Sequence, residues 1–183
     1  GFTTDMAFLF AVNHYVPRSE FREMYTPKEL ATLKSWYYDT LKFHDGIYNP
    51  LSRNVLWPEK YFDIEFKQDW ARYKYTLADG QVLEGQLAIK GTMDLICRVD
   101  GKPNMVEMLD WKTGLRLDWA TGETKDIKKL RNDPQLRMYH YALSKLLPEV
   151  DQIVVTIVYS RFKDNPKKGL FGGPYTLPPF TKK

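Results

Sequence analysis

The stretch "GTMDLICRVDGKPNMVEMLDWKTG" (residues 91–114) decides the fold, because a turn signal, Asp100-Gly101, joins two β-rich runs in it. Each run carries an acid, Asp94 in the first and Asp110 in the second, and Lys112 follows the second acid by two residues. Alternating apolar residues around an Asp-Gly pair are typical of an antiparallel β-hairpin. We therefore predict a hairpin that carries two carboxylates and one ammonium group.

The register of this hairpin follows from the positions of the two acids. Pairing Asp94 with Asp110 centres the hairpin on Lys102, inside the predicted turn. Val99 would then face Met105, and "DGKPN" would form the loop. A loop of this length is common in hairpins, which supports the register.

This register predicts a cluster of charged side chains. Directly opposed residues have Cβ atoms about 4.5 to 5.5 Å apart, and residues two apart on a strand share a face. Asp94, Asp110 and Lys112 are therefore expected to converge. Two close carboxylates share a proton or recruit a cation, and Mg²⁺ or Mn²⁺ suits oxygen ligands. Lys112 would then hold a phosphate oxygen or an attacking water. An ordinary ion pair between Lys112 and either aspartate is the alternative interpretation.

Two helices can be predicted from their N-terminal caps. Thr26 and Glu29 form a capping box around Pro27, which opens the amphipathic segment "YTPKELATLKSWYYDTLKFHDG". Asp133 and Pro134 open the second helix, "DPQLRMYHYALSKLL". Each helix is expected to bury one apolar face.

The runs between the helices favour strands. From residue 55 to residue 111 the sequence alternates through "KYFDIEFK", "ARYKYTL", "VLEGQLAIKGTMDLICRV" and "NMVEMLDW", which predicts an antiparallel meander. The continuous apolar run "QIVVTIVYS" is typical of a buried strand. It is followed by a segment rich in Pro, Gly and Lys, interpreted as an extension or a linker.

Composition predicts one domain. The 183 residues are 43% apolar and 15% aromatic, enough for one sizeable core. We expect a single domain over residues 1–183, with a helical part at 1–54, a core at 55–160 and a basic extension at 161–183.

Charge and cysteine content narrow the partners and the compartment. The net charge of +4 suits an anionic partner. The single cysteine, Cys97, excludes an internal disulfide, a Cys-rich zinc site and a four-cysteine iron–sulfur cluster within this chain, and it favours a reducing, cytoplasmic compartment. The apolar stretch "MAFLFAV" is too short to span a bilayer, so no membrane partner is expected.

The second helix supplies a further pair of candidate residues. Gln135 and Tyr139 are four apart and so share one face near the helix N-terminus, where the helix dipole favours anions. Phosphate is therefore a candidate ligand at this position. Alternatively, Tyr139 is a core aromatic residue and Gln135 a surface residue.

Together these features resemble a known family, the RecB-type nucleases of the PD-(D/E)XK superfamily. The family motifs Gly-x-x-Asp, Asp-x-Lys-Thr-Gly and Gln-x-x-x-Tyr are matched in order by "GTMD" ending at Asp94, "DWKTG" with Asp110 and Lys112, and "QLRMY" from Gln135 to Tyr139. "VLWPEKYFDIEF" is similar to the family's first strand, with Glu59 at its glutamate. The likeness covers roughly residues 55–160. It implies a restriction-endonuclease-like α/β fold, with a mixed sheet flanked by helices in the order αβββαβ.

The resemblance also implies roles for the candidate residues. Asp94, Asp110 and the backbone carbonyl of Trp111 would bind Mg²⁺ or Mn²⁺. Lys112 would orient or activate the attacking water, while Gln135 and Tyr139 would contact the nucleic-acid backbone or brace the site. The resemblance also offers two further kinds of candidate for the metal site: an acid, Glu59, and an upstream histidine, His14 or His44.

By the same resemblance, the expected partner is DNA. Candidate backbone contacts are the basic residues near the motif helix and after the last strand: Lys125, Lys128, Lys129, Arg131, Arg161, Lys163, Lys167 and Lys168. Trp111 and Trp119 are candidates for base stacking, although Trp111 is equally suited to the core.

The resemblance implies one function and leaves one alternative. The implied function is a Mg²⁺- or Mn²⁺-dependent deoxyribonuclease that hydrolyses phosphodiester bonds, exonuclease-like, in recombination, repair, phage replication or defence. The alternative is a catalytically weak nucleic-acid-binding or scaffold domain, associated with a helicase or other subunits of a processing complex.

Overall fold

A computed structural model describes residues 3–15, 17, 25–118, 120–160 and 173–181. The helices are α1 (Thr4–Tyr15), α2 (Pro27–Lys42), α3 (Ile127–Arg131) and α4 (Pro134–Leu146). The strands are β1 (Val55–Glu65), β2 (Arg72–Thr76), β3 (Val82–Gln86), β4 (Ala88–Val99), β5 (Lys102–Lys112), β6 (Gln152–Tyr159), β7 (Gly173–Thr176) and β8 (Phe180–Thr181).

The central sheet is mixed, which confirms the predicted fold class. Its strand order is β1-β4-β5-β6-β7, and β8 also pairs with β6. β1 and β5 both run antiparallel to β4, whereas β6 runs parallel to β5. When α1, the β2–β3 hairpin, the short α3 and the last two strands are left out, the order α2, β1, β4, β5, α4, β6 is the predicted αβββαβ.

The predicted caps of both helices are confirmed. Thr26 and Glu29 form a reciprocal capping box at the start of α2. At the start of α4, the side chain of Asp133 accepts a hydrogen bond from the backbone N–H of Gln135. These local contacts satisfy N–H groups that the first turn of a helix leaves without partners.

The predicted meander is wrong at β2 and β3. β1 pairs directly with β4, and the two intervening strands form a separate two-stranded sheet. Every residue of β2 is exposed, so this strand has no apolar face to bury in the central sheet. β7 and β8 were not predicted either, because they lie in the segment interpreted as an extension or linker.

The predicted β4–β5 register is confirmed, but the predicted loop is wrong. Leu95 pairs with Leu109 and the register remains centred on Lys102 as far as Arg98. Val99 then pairs with Lys102 itself, so Asp100-Gly101 alone forms the turn. The register shift at this point leaves an irregular stretch of β5 that includes Pro103, which has no N–H to donate to a ladder.

The two faces of the sheet bury different clusters. On one face, Leu136, Tyr139 and Leu143 of α4 pack in the same core as Ile96 and Met108. On the other face, a smaller cluster is formed by Leu95, Cys97, Leu109 and Val158, with Tyr48 and Trp111 packed against it. Burial of Cys97 confirms its predicted core position.

Gly101→Ala should lower Tm, because Gly101 has φ +72° at the hairpin turn. An L-residue in this region costs about 1 to 2 kcal/mol, and about 1 kcal/mol corresponds to roughly 2 to 4 °C in a chain of this size. Gly114→Ala is the matched control, because a Cβ there meets nothing within 4 Å and φ is not left-handed. Equal Tm values for both variants, measured by calorimetry, would contradict the assigned turn.

Candidate active site

The predicted acids and lysine meet where β5 ends beside β4. The Nζ atom of Lys112 lies 2.8 Å from Oδ2 and 3.0 Å from Oδ1 of Asp110. Oδ2 of Asp94 accepts a hydrogen bond of 2.7 Å from the backbone N–H of Trp111, the residue between the other two. The structure thus brings together the residues that the sequence placed on one hairpin.

Asp110 is held in an electrostatically unfavourable position. It is 1% exposed, and this burial raises the pKa of its carboxyl group. The hydrogen bond and positive charge of Lys112 act in the opposite direction, whereas the charges of Asp94 and Asp133 raise the pKa further. Apart from the ionic contact with Lys112, the buried Oδ2 atom has no hydrogen-bond partner in the described part of the chain. A divalent cation would stabilise this carboxylate.

The backbone of Trp111 is oriented toward the same place. In a strand, the N–H and C=O of one residue point to the same side, and those of the next residue point to the other. The Lys112 carbonyl accepts the N–H of Ser160, on the β6 side, at 2.9 Å. The Trp111 carbonyl therefore points toward β4, the side on which Asp94 lies. Two carboxylates and this carbonyl form an oxygen donor set that fits Mg²⁺ or Mn²⁺.

A hydrogen-bond chain from α4 holds the lysine. Oε1 of Gln135 lies 3.1 Å from Nζ of Lys112, and Nε2 donates to the Tyr139 hydroxyl at 2.8 Å. Because an ammonium group can only donate hydrogen bonds, the oxygen of the Gln135 amide, and not its nitrogen, faces Lys112. Tyr139 is buried against Phe62, and burial raises the pKa of its hydroxyl. Of the two predicted roles for Gln135 and Tyr139, this geometry supports bracing of the site.

Glu59 and His14 do not join the two aspartates. Glu59 lies opposite Asp94, because its two neighbours in β1 pair with Leu95 and Met93. Its side chain is nevertheless exposed, and its φ is +44°. The His14 ring stacks on Phe10 in α1. Among the described residues, no three His, Cys, Asp or Glu side chains are grouped so that they could hold a metal ion. The side chain of His44 lies outside the described part.

Several predicted nucleic-acid contacts are engaged within the protein. Lys125 is paired with Asp133 at 2.8 Å, and Lys129 with Glu123 at 2.7 Å. The Arg131 guanidinium lies over the Phe180 ring, while Lys128 is exposed. Trp111 packs on the sheet face opposite α4, which supports its core interpretation. Trp119 and the predicted contacts between 161 and 168 lie outside the described residues.

Sequence reasoning missed one residue beside the lysine. Tyr159 ends β6 and pairs with Lys112 across the parallel ladder. Burial raises the pKa of its hydroxyl to about 12. In the sequence Tyr159 is the end of a continuous apolar strand, so it was interpreted only as core. No local pattern in the sequence marks it, because its place beside Lys112 depends on the parallel pairing of β6 with β5.

Comparison with protein families identifies the class of the protein. The family model described as PD-(D/E)XK nuclease superfamily matches residues 17–180, so the chain belongs to this superfamily. The search of curated proteins found no match. Within the described ranges, no helix has the length and apolar character needed to cross a bilayer.

Asp110→Asn should raise the Tm of the metal-free protein at neutral pH. Because the pKa of Asp110 is higher in the folded state, its ionised form destabilises that state. This destabilisation is absent below pH 3.8, the ordinary pKa, and grows as the pH rises through the pKa of the folded state. Removing this charge should therefore raise Tm at neutral pH, and the difference from the wild type should vanish as the pH falls below 3.8.

The matched control is Asp63→Asn, because Asp63 is exposed and paired with Lys90 on the surface of the sheet. The change in its Tm should be smaller than the change expected for a loss of about 1 kcal/mol, because a surface ion pair contributes little to stability. Thermal unfolding in EDTA, measured from about pH 3 to about pH 8, tests both variants. The lower limit is about one unit below the ordinary pKa values of carboxyl groups, and the upper limit is well above them. A lower Tm for Asp110→Asn at neutral pH would show that Lys112 more than offsets the burial.

Proposed function

We propose that this chain is a Mg²⁺- or Mn²⁺-dependent deoxyribonuclease that hydrolyses phosphodiester bonds in DNA. The observation that carries the proposal is the buried Asp110 carboxylate, which is incompletely compensated by Lys112 and lies near Asp94. Buried carboxylates with a perturbed pKa cluster at functional sites, where a ligand can complete the charge. Membership of the nuclease superfamily supports the same reaction class.

The oxygen donors of the site would hold the metal. These are the carboxylates of Asp94 and Asp110 and the carbonyl of Trp111. A bound ion lowers the pKa of its water and stabilises charge on phosphate oxygens. The donor set leaves room for water and a substrate phosphate, which Mg²⁺ commonly retains as ligands.

Lys112 is proposed to act on the reacting phosphate or on the attacking water. A protonated lysine has three N–H donors, and Asp110 and Gln135 account for two of its partners. The remaining donor can reach a phosphate oxygen or a water, where it would stabilise the charge that develops during hydrolysis. Gln135 positions the ammonium group without contacting the reacting atoms.

The biological role is proposed by resemblance. RecB-type relatives suggest an exonuclease-like activity in recombination, repair, phage replication or defence, alongside a helicase or other subunits. DNA as the substrate rests on this resemblance, and the net charge of +4 suits an anionic partner in general.

A second candidate is a catalytically weak nucleic-acid-binding or scaffold domain. One observation favours it: the described residues offer only two carboxylates to the metal, with no third His, Cys, Asp or Glu beside them. Fewer charged ligands give weaker metal binding. The two candidates predict different responses to metal, which the following experiments measure.

Mg²⁺ or Mn²⁺ should raise the Tm of the wild type but not that of Asp110→Asn. A ligand that binds only the folded state stabilises it by about 2.7 kcal/mol at a concentration 100 times its Kd. The control Asp63→Asn should keep the wild-type shift, because its side chain lies in a surface ion pair. Identical metal-induced shifts in wild type and Asp110→Asn would place the ion elsewhere.

Cleavage of labelled DNA with either metal should require both Asp110 and Lys112. Single-turnover rates should fall by about 10²-fold or more in Asp110→Asn and in Lys112→Met, because each change removes charge from the transition-state site. Lys112→Met should retain the metal-induced Tm shift. A wild type that binds DNA but cleaves it no faster than Asp110→Asn would leave only the second candidate.

A further inference from the structure

A cavity of about 210 Å³ opens next to Lys112, between the end of the sheet and the N-terminus of α4. Its polar lining consists of Lys112, Lys125, Asp133, Gln135 and Tyr159. Two of these side chains are cations and one is an anion. Each lysine is paired with one aspartate, and the ammonium donors that these pairs do not use can serve a negatively charged group beside the proposed reacting phosphate.

Tyr159 contributes a hydroxyl donor to this cavity. It lies next to Lys112 in the parallel β5–β6 ladder. The charged groups that act on its hydroxyl are Arg116, Asp110 and Asp133, which places the hydroxyl among the residues around the cavity. No residue in the described ranges accepts a hydrogen bond from it, so the donor is available to a ligand.

Lys125 contributes an ammonium group at a fixed position. Its Nζ atom lies 2.8 Å from Oδ2 of Asp133, and the other oxygen of Asp133 caps α4 through the N–H of Gln135. The anion of the cavity is thus already engaged by the protein. The backbone carbonyl of Lys125 accepts a 2.6 Å hydrogen bond from Nη1 of Arg116, which holds the lysine here and adds a positive charge behind it.

We propose that this cavity binds a backbone phosphate of the nucleic-acid strand, adjacent to the phosphate that is cleaved, with Lys125 and Tyr159 as its donors. The proposal rests on the proposed nuclease function and adds a binding subsite to it. Lys112 lies between the two positions, since it lines the cavity and contacts Asp110. A phosphate held in the cavity would therefore set the position of the strand relative to the proposed metal.

Binding of a labelled oligonucleotide in EDTA tests the subsite without cleavage. Lys125→Gln and Tyr159→Phe should each raise the Kd by about tenfold or more, the effect of losing one hydrogen bond to a charged group. Lys125→Gln should also reduce the slope of log K against log salt by about 1, whereas Lys125→Arg should keep the slope.

Two matched variants serve as controls. Lys74→Gln removes a lysine that is likewise paired with an acid, Glu84, but lies in the separate β2–β3 sheet and does not line the cavity. Tyr175→Phe removes the hydroxyl of the neighbouring tyrosine, whose ring packs edge-on at 6.0 Å from that of Tyr159. Both controls should bind as the wild type does.

The source of the phosphate is tested by comparing oligonucleotides with and without a 5′-phosphate. The proposed strand phosphate predicts the same loss for both, while a loss confined to the phosphorylated end would overturn it in favour of a terminal phosphate. Equal Kd and salt slope for the Lys125 and Tyr159 variants and their controls would also overturn it.

Metal-dependent cleavage by the wild type, assayed separately, tests the nuclease proposal. Cleavage by the wild type together with unchanged binding by the variants rejects only the subsite. Altered binding by the variants without cleavage by the wild type rejects only the nuclease.

Discussion

The β4–β5 register is the constraint on which the proposed site depends. The register pairs Leu95 with Leu109, and Asp94 and Asp110 are the residues that follow this pair on the two strands. Beyond the pair, the Asp94 carboxylate accepts a hydrogen bond from the backbone N–H of Trp111. A slip of one residue would turn every side chain of one strand to the opposite face and separate the two carboxylates. The buried residues of both strands oppose such a slip, because Ile96 and Met108 belong to the core under α4. The packing that stabilises the sheet therefore also positions the charges.

The same packing makes the site costly for the folded protein. The core that covers β5 removes Asp110 from water, and its lysine partner compensates the buried charge only in part. Sites with chemical function commonly carry such local costs, which the rest of the structure offsets. The Lys112–Gln135–Tyr139 chain limits the motion of the lysine by linking it to α4, whose apolar face is held in the main core.

Sequence reasoning succeeded where the deciding interactions are local or repeat along the chain. The caps at Thr26 and Asp133 depend on residues within one helical turn, and the β4–β5 register follows from alternation around one turn. It failed where pairing depends on distant partners. β2 and β3 are separate from the central sheet because β1 pairs with β4 and not with β2. Likewise, Tyr159 reaches Lys112 only through the parallel pairing of β6 with β5, which no local pattern specifies.

The most direct test of the central claim is a crystal structure of the protein soaked with Mn²⁺, in which the anomalous signal locates the ion. The account predicts an ion coordinated by the carboxylates of Asp94 and Asp110, with the carbonyl of Trp111 completing the protein ligands. An ion bound elsewhere, or two aspartates that remain without an ion while Lys112 stays bound to Asp110, would contradict the proposed metal site.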